Sequence, residues 1–290
     1  MRPNQQTLAR SVCVDGFGFW TGRDTRLEFR PAAPGSGIRF FRRDLPDSVP
    51  IPALVAFRIK KPRQSSLVLN DASVDMIEHV MAALAAAEID NCEVVVDSSE
   101  MPGCDGSSRP FFFALKEAGI QQQNVPARVR RITTAHVFGD EKSFIRIQPS
   151  AANETSFGYR LVYDQGRGPH PIGNQEYESV ITPELFEKNI MACRTFLLQE
   201  EAQVLLDRGL CSRVSPKDVL VFSESGPVDN KLLFDNECAR HKVLDMIGDF
   251  ALAGCRWRGH FFASRTGHEQ NAAVVRELLA SDTYCTDDNE

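Results

Sequence analysis

Glu237-Cys238-Ala239-Arg240-His241-Lys242-Val243-Leu244-Asp245-Met246-Ile247-Gly248-Asp249-Phe250 reads as a helix with two distinct faces. Val243, Met246, Ile247 and Phe250 recur at three- and four-residue spacing, the stripe a helix buries against a core. His241, Asp245 and Asp249 recur every fourth residue and share a second stripe. Burying that stripe costs free energy unless a cation, hydrogen-bond donors or water meet it. An imidazole and a carboxylate one turn apart on one face form half of a zinc site. On this stretch alone, a solvated polar face is the alternative.

A metal site needs a further ligand, and residues 72–87 supply one. Read as a helix capped by Ser73, this stretch buries Val74, Ile77, Met81 and Leu84. His79 shares a face with Ala82, Ala83 and Ala86, small residues that let another element approach. Glu78 stands beside it, where a carboxylate that is not itself a ligand suits a general base. The alternative is a solvated Glu78 and a core His79.

The 290 residues allow one large domain or two. A hydrophobic content of 42% is ample for packed cores. No apolar run is long enough for a membrane span, and the first residues hold no apolar signal segment, so secretion is not expected. A net charge of −6 argues against general nucleic-acid binding. Eight scattered cysteines without a CxxC pair suggest neither a disulfide framework nor a cysteine zinc knuckle, and fit neutral thiols in a reducing cytoplasm.

Residues 7–16, 25–31 and 37–42 read as strands, residues 51–69 as irregular and basic. A buried strand follows at 92–97, a tight turn at 102–108 and a helix from Pro110. Strands first and helices on one side make an α+β sandwich. Residues 121–126 look like a linker, and the plan then repeats. Strands are expected near 135–138, 143–148, 156–163 and 176–181, and Thr182-Pro183 opens a helix. A helix at 199–207, a strand at 219–222, the Asp245 helix, a strand near 260–263 and a helix from Gln270 complete it. Residues 281–290 read as a frayed acidic tail. The halves share an order of elements but no visible sequence repeat.

Taken together, Ile77-Glu78-His79-Val80-Met81-Ala82-Ala83-Leu84, Asp90-Asn91, Asp105-Gly106-Ser107, Ile172-Gly173-Asn174-Gln175, Arg194-Thr195-Phe196, Arg240-His241-Lys242-Val243-Leu244-Asp245 with Gly248-Asp249, and Gly267-His268 with Asn271 resemble the zinc-dependent UDP-3-O-acyl-N-acetylglucosamine deacetylases of lipid A biosynthesis. The likeness covers residues 6–279. It implies two similar α+β sandwich domains packed face to face with the metal between them, here 1–124 and 125–282, each with a small insertion, followed by the tail 283–290.

The resemblance also implies roles. His79, His241 and Asp245 would hold Zn2+, although Fe2+ suits the same ligand set. Glu78 would be the base toward water, and His268, held by Asp249, the acid for the departing amine. Thr195 and Lys242 would assist the oxyanion, and Phe196 and Leu198, with Lys242, would contact substrate. The partner implied is a nucleotide sugar bearing an acyl chain, handled by a cytoplasmic monomer without nucleic acid. Trp20, the 213–219 stretch and Gln64-Ser65-Ser66-Leu67 depart from the family pattern. They are expected near the acyl passage or its supports, away from the metal chemistry. They leave open a zinc amidohydrolase of the same fold acting on a different acylated amine.

Overall fold

The computed structural model describes residues 3–163, 170–280 and 282–287. Two large sheets face helices that meet in the middle. The first sheet has five strands in the order Val12–Phe17, Asp24–Pro31, Cys92–Val96, Ile38–Arg42 and Ile51–Pro52. The second has seven strands and is built around Arg256–Ser264. That strand pairs in parallel with Val129–Ile132 at its start and with Thr155–Leu161 further on. Gly259 separates the two partners; at φ 150° a Cβ there would meet Ile132 Cγ1 at 2.6 Å, so only glycine fits the change-over. The expected α+β architecture is observed.

The helices are α1 Glu78–Ala86, α2 Arg109–Ala118, α3 Pro183–Asn189, α4 Gln199–Asp207, α5 Glu237–Ala251 and α6 His268–Ala280. None among the described residues is long and apolar enough to cross a membrane. Helix α5 packs against α1, α6 and the strands Thr155–Leu161 and Gln175–Val180. Its apolar stripe is fully seated, because Phe250, Phe157, Phe261 and Trp257 form one aromatic cluster with centroid separations of 4.9–6.3 Å. Each such pair adds about 0.5–1.5 kcal/mol beyond its area. The polar stripe is buried as well, since α1 covers it.

Gly248 sets how closely the two helices meet. A Cβ there would stand 2.0 Å from the Glu78 carbonyl oxygen, which cannot move without shifting α1. Gly248→Ala is therefore expected to cost about 1–3 kcal/mol, the range for overpacking a filled core. Chemical denaturation checks this; an unchanged midpoint would show that α1 and α5 tolerate separation.

Four expectations are corrected. Residues 72–87 are not one helix: Ala72–Asp75 is a strand paired with Gln64–Leu69, Met76 takes φ 58°, and α1 starts only at Glu78. Burial alternates over Ala72–Asp75, a period of two rather than 3.6. Residues 51–69 are not irregular, because Arg58–Lys61 and Gln64–Leu69 form a hairpin whose turn uses Arg63 at φ 59°. The supposed linker is the strand Ile120–Pro126, paired antiparallel with Asn4–Leu8. Within the supposed tail, Cys285–Asp287 pairs with Val129–Ile132 and buries Cys285, while residues 281 and 288–290 lie outside the described residues. The Thr182 cap is as expected, its hydroxyl accepting from Leu185 N.

All eight cysteines are free thiols. Cys193 and Cys238 are fully buried, and burial pushes the Cys238 thiol up to about 12 and the Cys193 thiol higher still.

Candidate active site and metal centre

The late start of α1 has a chemical result. Glu78 and His79 occupy the first turn, where free backbone N–H groups and the helix dipole favour negative charge. His79 faces α5 across the Gly248 contact. Its Nε2 lies 3.7 Å from Asp245 Oδ1, and His241 Nε2 lies 3.5 Å from the same oxygen. One ligand atom from each of the three residues falls within 4.8 Å of the others, and all three residues are buried. Donors about 2 Å from a tetrahedral ion stand roughly 3.3 Å apart, so this spacing fits a small divalent metal.

The surroundings prepare the donors for that use. The Cys193 carbonyl lies 3.1 Å from His241 Nδ1, which places the ring proton there and leaves the Nε2 lone pair facing the cluster. Burial pulls the His241 pKa down to about 4, so the ring is neutral and able to coordinate. Lys242 Nζ donates to Asp245 Oδ2 at 2.7 Å, leaving Oδ1 for the cluster. Burial works against the Asp245 charge, but Lys242 and His241 outweigh it and hold the carboxyl well below its usual range. Burial also opposes the Lys242 charge, yet Asp245 and Tyr159 keep its pKa raised.

A second group of side chains stands beside the first. His268 Nδ1 lies 2.8 Å from Asp249 Oδ2, which also accepts from Asn271 Nδ2 at 2.8 Å. Burial disfavours the imidazolium, but the charge and hydrogen bond of Asp249, with help from Glu78, raise the His268 pKa to about 9. His268 Nε2 faces Glu78 Oε1 at 3.9 Å. Burial raises the Glu78 pKa above the ordinary carboxylate value. A raised carboxylate and a raised imidazole facing each other are what paired base and acid require near neutral pH.

Thr195 Oγ1 donates to the Gly106 carbonyl at 3.1 Å and lies 3.4 Å from His241 Nε2. Arg194, just before it, binds the fully buried Glu237 at 2.8 Å and ties this segment to the start of α5. The Phe196 ring stands 6.0 Å from that of His241.

Both groups open into one cavity of about 940 Å³. Its lining is also strongly apolar, with Trp20, Leu197, Leu205, Val214 and Val221 among the lining residues. Leu198, expected in this wall, does not line it; Leu197 takes that place. Leu198 caps α4, its N–H bound to Glu201 Oε2 at 3.0 Å, and the helix start fixes its side chain elsewhere. Trp20 and part of the 213–219 stretch do reach the cavity. The 64–67 stretch departs from expectation, because Ser65 touches two of the buried carboxylates beside the cluster: its N–H donates to Glu78 Oε2 at 3.0 Å and its hydroxyl to Asp249. The sequence reading missed Ser65 and the Cys193 carbonyl. The first was hidden by a basic stretch that concealed the hairpin, and a backbone carbonyl leaves no residue signal.

A two-histidine, one-carboxylate centre flanked by a buried acid–base pair defines a metallohydrolase type of site. The sequence model of the UDP-3-O-acyl N-acetylglycosamine deacetylase (LpxC) family matches residues 5–280, and the chain belongs to that family. It is a deacetylase, a hydrolase of amide bonds. The UDP-3-O-acyl-N-acetylglucosamine deacetylase of Chlamydia caviae is 36% identical over 276 residues, covering 95% of this chain and 96% of its own. The enzymes of that name from Geobacter sp. (strain M21) and Anaeromyxobacter sp. (strain Fw109-5) are each 35% identical, covering 88% and 89% of their own lengths and 95% and 96% of this chain.

Proposed function

We propose that this chain removes the N-acetyl group of UDP-3-O-acyl-N-acetylglucosamine in a zinc-dependent hydrolysis, releasing acetate and the free amine in lipid A biosynthesis. The observation that carries the reading is the convergence of His79, His241 and Asp245 with the Glu78–His268 pair on one cavity that is also lined by many apolar side chains. A divalent metal held by the first three residues supplies Lewis acidity that polarises the amide carbonyl and acidifies water. Zinc suits two imidazoles and a carboxylate, and iron(II) suits the same donors.

Glu78 accepts the proton of the attacking water at Oε1. The Thr195 hydroxyl turns from Gly106 toward the developing oxyanion, and Lys242 adds positive charge beside it. His268 gives its Nε2 proton to the departing amine, while Asp249 retains the Nδ1 proton and holds the ring. Phe196 and Leu197 begin the wall that takes the acyl chain. The same reading expects a cytoplasmic monomer acting on a small nucleotide sugar.

The test is acetate release from the acylated UDP-sugar, with unacylated UDP-N-acetylglucosamine as control. Preference for the acylated compound supports the reading; equal rates, or none, reject this substrate. The pH profile separates the two proton-transfer groups. His268 acts as the protonated form, so kcat is expected to fall as pH rises through about 9. Glu78 acts as the anion, so kcat falls as pH drops through its raised value. In His268→Ala the alkaline limb should vanish, and an unaltered limb would assign it to another group.

A further inference from the structure

Ser65 hydrogen-bonds both the carboxylate assigned as base and the carboxylate that holds the acid. It lies in the strand Gln64–Leu69 with no solvent exposure. Its N–H donates to Glu78 Oε2 at 3.0 Å, its carbonyl accepts from Ile77 N at 3.3 Å, and its hydroxyl donates to Asp249 Oδ1. We infer that Ser65 is a positioning residue that fixes the Glu78 carboxylate and, through Asp249, the His268 imidazole in one relation. This inference rests on the base and acid roles proposed above.

The hydrogen-bond inventory around Asp249 carries it. Oδ2 is taken by His268 and Asn271, both at 2.8 Å. Among the described residues, only the Ser65 hydroxyl reaches Oδ1. Two donors on one oxygen leave the carboxylate able to turn about Cβ–Cγ, and the third, on the other oxygen, stops it. His268 is bonded to that carboxylate, so its Nε2 is aimed by the same lock. The strand holding Ser65 is central in its sheet, paired with Arg58–Lys61 on one side and Ala72–Asp75 on the other. The lock is thus anchored in backbone rather than in a mobile loop. Ser66 supplies a control, being equally buried with a hydroxyl that finds no partner among the described residues.

The experiment compares S65A, S65C, S66A and D249N in the zinc-loaded protein. S65C keeps the volume with a weak donor, and decides the matter should S65A fail to fold. Losing a hydrogen bond to a charged group is expected to lower kcat about 10- to 100-fold in both Ser65 variants, with KM and bound zinc unchanged. S66A should keep the wild-type kcat. The His268 Nδ1 proton resonance should move or broaden in S65A and S65C and stay in place in S66A. S65A/D249N should be no slower than D249N, because Ser65 acts through Asp249. A slow D249N beside S65A and S65C with wild-type kcat and an unmoved resonance would overturn the Ser65 inference alone. A D249N with full rate would overturn the acid assignment and this inference with it.

Discussion

Glu78→Gln is expected to retain bound metal while kcat falls on the order of 10²–10⁴-fold. The two side chains have the same shape, so the change isolates basicity. Ser65 N–H can still donate to the oxygen at position 78, as it does to Glu78 Oε2 at 3.0 Å. What disappears is the carboxylate, which sits buried with its pKa already raised by burial. The three converging donors that could hold the metal, His79, His241 and Asp245, do not include Glu78, so stoichiometry should hold. Metal analysis and steady-state rates on one preparation give both readouts. Full activity in this variant would remove Glu78 from proton transfer, and metal loss would make it a ligand instead.

The second large effect is expected at His241. His241→Ala deletes one of three converging donors and leaves Asp245 held by Lys242 alone on that side. Zinc affinity should weaken by more than about 10²-fold, since even the loss of an outer-shell partner costs 10- to 100-fold. The rate should fall to background. The fold should survive, because α5 remains seated by the Phe250 aromatic cluster and by Arg194 on Glu237. Bound zinc by elemental analysis, with circular dichroism on the same sample, checks both. Retained zinc and activity would mean the ligands lie elsewhere.

Much of this site was legible because its residues sit on helices. The period of four puts His241, Asp245 and Asp249 on one face, and in the structure His241 and Asp245 line the cavity while Asp249 binds His268, which lines it too. His79 was legible for its small neighbours, although the helix that carries it begins only at Glu78, five residues after the expected cap Ser73. That error came from reading Ala72–Asp75 as helical when pairing with Gln64–Leu69 decides its form. Strand pairing is a long-range property, and it accounts for the other misses too. Ile120–Pro126 looked like a linker because its partner, Asn4–Leu8, lies at the opposite end of the first half. Cys285–Asp287 looked frayed because nothing near it in sequence reveals Val129–Ile132. Leu198 was placed against substrate by the family resemblance alone, and its position as the cap of α4 depends on Glu201, which that resemblance did not weigh.

The buried thiols of Cys193 and Cys238 have a practical consequence. Cys193 supplies the carbonyl that orients His241, and Cys238 sits in the first turn of α5. With both sulfhydryls shielded and held in the protonated form, alkylating reagents can reach them only when this wall breathes. Their labelling rates therefore serve as a native clock for excursions of the segments that carry Cys193 and the first turn of α5, read by mass spectrometry without any engineered probe.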